Sequence, residues 1–195
     1  MLNLKFHQDN FLPHLGIDLE LNISEGEVLI LLGENGIGKT TIARAVAKTL
    51  PELVYVEQSP LDHFYQREIG HIKKILESVR SQNIQKEWLD ELWRGFELDK
   101  KEGRFIEQVS GGESQAIKLS LTLCRDSEVY LLDEPFQYLD QSKKEFLYGF
   151  MRKLQSLKKK IIVIEHNFDS QFPKATFLKL DERDGKIQQG KTWTT

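Results

Sequence analysis

Residues 33–41 read GENGIGKTT and directly follow the apolar run VLILL at 28–32. Gly33, Gly38, Lys39 and Thr40 fit the spacing G-x-x-x-x-G-K-[ST], between a buried strand and a helix. Glycines at such a turn let the backbone curl until its N–H groups point inward at phosphate oxygens. Asn35 and Gly36 belong to the same curl, and Thr41 joins the binding set on the helix side. The helix start adds the positive end of its dipole. Lys39 is placed to reach β- and γ-phosphates, and Thr40 can offer its hydroxyl to Mg²⁺. A strand–turn–helix with a chance lysine is the bland alternative, and the flanking elements weigh against it. The loop predicts nucleoside triphosphate binding without naming a reaction.

A second stretch, VYLLDEP at 129–135, delivers two carboxylates at the end of an apolar strand. Asp133 at the tip can hold Mg²⁺, directly or through water. Glu134 points elsewhere and can orient or deprotonate a water at a γ-phosphate. His166 ends a third strand, KIIVIEH, where ligands of parallel sheets gather, and can hydrogen-bond that phosphate. Gln58 ends a fourth strand in the same way and could touch Mg²⁺ or the attacking water. Read alone, it is a loop glutamine and carries no weight.

These groups need a scaffold that brings several strand ends together. Leu2, Leu4 and Phe6 alternate as an edge strand, and Ile17, Leu19, Leu21 and Ile23 alternate again. Val28 to Leu32 is unbroken, as expected of a strand covered on both faces. A helix over 40–50 and a strand over 53–56 follow, then a charged, aromatic-punctuated helical stretch at 66–94. Further on come a helix at 112–125, a strand at 129–132, a helix at 141–156, a strand at 161–164, and a closing hairpin of 177–180 and 186–188. The order predicts an α/β fold: a P-loop NTPase core with a mostly parallel sheet, an antiparallel β part at the N-terminus and a helical subdomain insertion. We expect one domain over 1–195, with 1–60 and 109–195 as nucleotide-binding core and 61–108 as helical subdomain.

VSGGE at 109–113 places a second glycine pair 72 residues past the loop lysine, which phosphate binding alone does not require. With the other motifs it resembles the ATPase cassette of ATP-binding cassette (ABC) proteins, over about residues 2–190. In that resemblance GENGIGKT stands as Walker A and VYLLDE as Walker B, which makes Glu134 the catalytic carboxylate. SGGE stands as the signature that caps ATP from the opposite subunit, implying roles for Ser110, Gly111 and Gly112 in trans. Leu139-Asp140 stands as the D-loop, Gln58 falls at the Q-loop and His166 at the switch histidine. Phe11 is the best-placed aromatic to stack on adenine, with Phe6 and His7 also possible. The resemblance implies ATP and Mg²⁺ as cofactors, hydrolysis by Glu134, His166, Lys39 and Gln58, and two subunits closing head to tail on two ATPs. Glu113 replaces the usual glutamine, Ala116 the usual arginine and Val109 the usual leucine. Only 18 residues separate Lys39 from Gln58, so the core is trimmed. No hydrolytic position is lost, and an active enzyme is expected.

Composition narrows the setting. No stretch approaches the roughly eighteen apolar residues of a membrane span. The first ten residues do not read as a signal peptide. Cys124 is the single cysteine, so no internal disulfide framework exists, and it reads as a buried small hydrophobe. The net charge of −3 gives no global drive toward nucleic acid. The expectation is a cytoplasmic ATPase, peripheral on the membrane through a separate membrane-spanning permease, pairing with a second ATPase subunit, most simply a copy of itself. Leu61, Phe64 and Tyr65 are candidates for the permease groove, whereas Trp88, Trp93 and Phe96 read better as the insertion's own core. The alternative is a non-transport relative acting on nucleic acid or ribosomes. Against it stand a short insertion without sustained heptads and a single cassette.

Overall fold

In a computed structural model of the chain, the residues described are 1–6, 16–57, 61, 64, 66–78, 84–166, 172, 174–183 and 186–194. Of residues 5, 6, 16–18, 182, 183, 186–191 and 193 only the backbone is considered. The elements run β1 (Leu2–Phe6), β2 (Gly16–Ile23), β3 (Val28–Leu32), α1 (Lys39–Thr49), β4 (Val54–Val56), α2 (Ile69–Ser78), α3 (Lys86–Gly95), α4 (Gly111–Leu123), β5 (Val129–Asp133), α5 (Gln141–Ser156), β6 (Lys160–Glu165), β7 (Ala175–Arg183) and β8 (Lys186–Thr194).

The strands form one sheet in the order β1-β2-β8-β7-β3-β6-β5-β4. Its centre is parallel: β3 pairs with both β6 and β7, and β5 pairs with β6. β1 runs antiparallel to β2 at the edge, and β7 antiparallel to β8. This is the expected fold class, a mostly parallel α/β sheet with an antiparallel part at the N-terminus. The register follows from apolar content. Val28, Leu29, Ile30 and Leu31 pair with Ile161, Ile162, Val163 and Ile164, and all eight are buried. Strands covered on both faces have no polar side to place. β2 shows the other pattern, with Leu19, Leu21 and Ile23 buried and Asn22 exposed between them.

Chain contacts divide the molecule into two compact units. The first comprises residues 1–55, 128–134 and 151–195. Its core joins Leu19, Leu29 and Leu31 of the sheet to Ile42, Ala43 and Val46 of α1. Those α1 positions recur at helical spacing and define its buried stripe. The second unit comprises residues 56–127 and 135–150. Leu89, Leu92 and Trp93 form the buried stripe of α3, and Phe96 follows at its C-terminal cap. Trp88 meets Phe150 edge to face at 5.9 Å, and Phe96 meets Phe146 in the same way at 4.9 Å. Trp93 and Phe96 are thus core residues, while Trp88, Leu61 and Phe64 are half-buried. Tyr65 lies outside the described residues. Cys124 is buried, and burial pushes its thiol up to about 11. No helix among the described residues is long and apolar enough to cross a membrane.

The helical stretch expected at 66–94 holds α2 and α3 among the described residues. One element differs from the sequence reading. The closing hairpin is longer than its apolar alternation shows, because β8 continues through Gln188, Gln189 and Lys191 to Thr194 on backbone pairing to β7. One close approach tests the packing of α3. A β-carbon on Gly95 would lie 2.1 Å from the Phe146 ring. Gly95→Ala is expected to lower stability by about 1–3 kcal/mol in urea unfolding, since the ring must move.

Candidate functional site

β3 leads straight into the glycine loop. Gly33 is buried, and a β-carbon there would lie 2.8 Å from Ile37 Cγ2, so the turn has no room for one. Gly36 and Gly38 take φ of +82° and +95°, the left-handed region that favours glycine. Gly38 is the N-cap of α1 and offers no side-chain acceptor, and no acidic residue occupies the first turn. The first amides of α1 therefore remain available to an external anion. This fits a polyphosphate. Lys39 is 6% exposed, and its Nζ donates to the carbonyls of Gly33 and Glu34, both at 2.9 Å. It also lies 3.4 Å from His166 Nδ1. Burial lowers its pKa, opposed by Glu134, Asp133 and Glu165.

β5 brings Asp133 to the same place. It is the last residue in the ladder, opposite Ile164, and is 1% exposed. Thr40 hydrogen-bonds its carboxylate, and Tyr55 Oη donates to Oδ2 at 3.4 Å. Oδ1 is buried and has no hydrogen-bond partner. Burial, and to a lesser extent Glu134, raises the Asp133 pKa against the pull of Thr40, Tyr55 and Lys39. An orphaned buried carboxylate oxygen beside a threonine hydroxyl is a hard donor set for a divalent cation. Among the described residues no group of three or more His, Cys, Asp or Glu could hold a metal. A Mg²⁺ ion held by one carboxylate, one hydroxyl, water and substrate phosphate needs no such group.

Glu134 continues the pairing by one bond, its amide donating to Ile164 O at 2.9 Å. Its φ of +48° then turns the chain, so its side chain leaves the direction of Asp133. Oε1 lies 3.3 Å from His166 Nε2. Thus Lys39, Thr40, Asp133, Glu134 and His166 converge at the carboxyl ends of β3, β5 and β6, all in the first unit. Thr41 follows half-buried on α1, and exposed Asn35 and Gly36 stand on the outer side of the loop. There a cavity of about 500 Å³ opens between Glu34, Asn35, Gly36 and Ile37 and the strand residues Lys179, Leu180 and Asp181. Lys39 does not line it. Gln58, Phe11 and His7 lie outside the described residues, as does the Phe6 side chain.

The second unit carries the other predicted residues. Ser110 is the N-cap of α4, and its Oγ accepts from Glu113 N at 3.3 Å. The Ser110 amide donates to Glu113 Oε2 at 2.7 Å, which completes a capping box. A β-carbon on Gly112 would lie 2.5 Å from the Tyr138 carbonyl oxygen, and one on Gly111 3.4 Å from the Tyr138 ring. Tyr138 itself has φ +62° and is 70% exposed. Asp140 accepts from Lys143 N at 3.0 Å and Ser142 Oγ at 2.7 Å. Lys143 Nζ also bonds it and, with these donors, holds its pKa well below the usual carboxylate range. Gln115 is buried and donates to Pro135 O at 3.2 Å.

Four partners escaped the sequence reading. Tyr55 alternates with buried Val54 and Val56, and that alternation was the available signal for its side chain facing the other way. Lys101 and Arg104, which pair with Glu113, look like ordinary surface cations in sequence. Nothing local marks Tyr138 as the neighbour of the glycine pair.

Residues 17–137 match the family model described as ABC transporter. Protein Pixie of Drosophila melanogaster is 30% identical over 155 residues, covering 75% of this chain and 25% of that protein. Translation initiation factor rli1 of Schizosaccharomyces pombe is 28% identical over 147 residues, covering 74% and 24%. The chain therefore spans about a quarter of the length of either relative. Among solved structures, one described as the ATP binding subunit of an ABC transporter superposes with a TM-score of 0.73 at 19% identity, covering 93% of this chain and 83% of that one.

The packing on Gly112 yields a test that needs no nucleotide. Gly112→Ala is expected to cost about 1–3 kcal/mol in chemical unfolding, because a backbone carbonyl cannot swing aside as a side-chain tip can.

Proposed function

Because this chain belongs to the ABC transporter family, as one of its nucleotide-binding ATPase domains, we propose that it binds ATP with Mg²⁺, pairs with a second copy around it, and hydrolyses it to power a separate membrane-spanning permease. The observation that carries the enzymatic part is the convergence of Lys39, Thr40, Asp133, Glu134 and His166 on three adjacent strand ends.

In this reading the amides of the glycine loop and the start of α1 bind the phosphates. Lys39 leaves the Gly33 and Glu34 carbonyls to meet the β- and γ-phosphate oxygens. Thr40 and Asp133 would hold Mg²⁺, which when bound would neutralise phosphate charge. Glu134 orients a water in line with the γ-phosphorus and takes up its proton as the new P–O bond forms. The bond from the γ-phosphorus to the β-phosphate oxygen breaks, and ADP and phosphate leave. His166, beside both Lys39 and Glu134, hydrogen-bonds the γ-phosphate and thereby distinguishes ATP from ADP. Ser110, Gly111 and Gly112 of the other copy complete the site, with Asp140 at the interface. Phe11 stacks on adenine, and Gln58 reaches Mg²⁺ or the attacking water. ATP then holds the pair together and its hydrolysis releases it.

Glu134→Gln is expected to lower the hydrolysis rate by roughly 10²–10⁴-fold and to leave a stable ATP-bound dimer in light scattering after gel filtration. A variant that binds ATP yet stays monomeric would sink the pairing.

The transport reading draws on the family description and on the near full-length likeness to a transporter's ATP-binding subunit. A second reading, work on ribosomes, draws on the 28% identity to a translation initiation factor. Mild purification of the tagged chain from detergent extract and soluble lysate separates them. A stoichiometric multi-span membrane protein, docking the chain at the cytoplasmic face, is the expected companion. Ribosomes in its place would transfer the assignment to the second reading.

A further inference from the structure

Glu113 has more partners than a helix cap needs. Its Oε2 accepts from the Ser110 amide at 2.7 Å. Its Oε1 takes both Lys101 Nζ and Arg104 Nη1, the latter at 2.8 Å. The side chain is 9% exposed, whereas Lys101 and Arg104 are 30% and 43% exposed. Burial pushes its pKa up, but Lys101 and Ser110 outweigh that and hold it at about 2, so it is an anion throughout the physiological range.

The cations belong to a segment tied down elsewhere. Ile69 and Gly70, at the start of α2, donate to the carbonyls of Arg104 and Glu102, both at 2.9 Å. Arg104 also bonds the Gln108 carbonyl. The carboxylate is therefore fixed from one side by a braced segment and passes that constraint to Ser110 on the other.

The donor inventory makes the residue type decisive. Each of the three partners is a donor, so each needs an acceptor oxygen. A carboxylate supplies an oxygen to both sides. A glutamine amide supplies one oxygen and one NH₂, and whichever side meets the NH₂ faces donor against donor. With Glu113 in place, the Ser110 Oγ accepts from the Glu113 amide at 3.3 Å and its hydroxyl also bonds the Glu113 carboxylate, so both ends of the pair are held. The Gly111 and Gly112 amides, in the first turn of α4, have no intrahelical acceptor.

We propose that Glu113, clamped by Lys101 and Arg104, is a positioning residue that fixes the Ser110 hydroxyl and the Gly111 and Gly112 amides toward the γ-phosphate of ATP bound in a second copy. The proposal rests on the paired-ATPase reading above, and it makes glutamine, the usual residue of the family motif, the wrong residue for this chain.

The test uses the full chain in the Glu134→Gln background, with pairing followed by light scattering across an ATP titration. Binding of a fluorescent ATP analogue to the monomer and the melting temperature are measured alongside. Glu113→Gln is expected to raise the ATP concentration for half-maximal pairing tenfold or more, with analogue binding unchanged. In the otherwise wild-type chain, kcat should fall while the affinity for the analogue holds. The triple variant Lys101→Met, Arg104→Met, Glu113→Gln removes the cations, frees the amide to serve Ser110 alone, and should recover most of the pairing. If Glu113→Gln alone fails to fold, recovery of folding and pairing in the triple variant still supports the clamp. Pairing of Glu113→Gln at the unmodified ATP concentration would overturn it, as would a triple variant no better than the single one. Failure of the parent itself to pair with ATP bound overturns the paired-ATPase reading instead.

Discussion

A lysine ammonium that is 6% exposed has to be solvated by protein. Around Lys39 the solvating groups are the Gly33 and Glu34 carbonyls, the His166 ring and the field of Glu134, Asp133 and Glu165. These come from three strands and one turn, so the charge is stable only when β3, β5 and β6 end at one level. The parallel register supplies that level. Leu32 pairs with Glu165, and Asp133 pairs with Ile164. A one-residue slip would turn every side chain of the affected strand to the opposite face. The apolar runs that set the register are thereby also what aims the polar groups.

The same centre holds an imbalance. Asp133 is buried with one oxygen unpartnered, a costly arrangement in a resting core. Tyr55 and Thr40 serve the carboxylate without satisfying it. Such local cost is common where a ligand completes the coordination, and stability is then exchanged for binding.

Most of this centre was legible in the sequence because each motif encodes its own local geometry. The glycine spacing dictates the left-handed turns at Gly36 and Gly38, and VYLLDE announces a strand that ends in acid. Partners that have no fixed spacing are not legible in this way. Tyr55 reaches Asp133 across 78 positions, and Arg104 reaches Glu113 across 9, from a segment that resembles any solvated charged turn. Glu113 shows the limit well. The sequence marks it only as a departure from the family pattern, whereas its surroundings show a carboxylate with donors to satisfy on both sides. Residue type is local information, but the demand on a side chain is set by neighbours that the chain brings in from elsewhere.

The fit between Gly112 and Tyr138 carries a further implication. The space for a β-carbon at position 112 is taken by a main-chain oxygen, which no change of side chain at 138 can trim away. The shape of the turn at 138, with its φ of +62°, is therefore written into the glycine pair, although 26 positions separate the two in the chain. Sequence drift at either place is not independent. A lineage that replaced Gly112 would first have to reshape the backbone around Tyr138, and that order of events closes most single-step routes between this sequence and one without the second glycine.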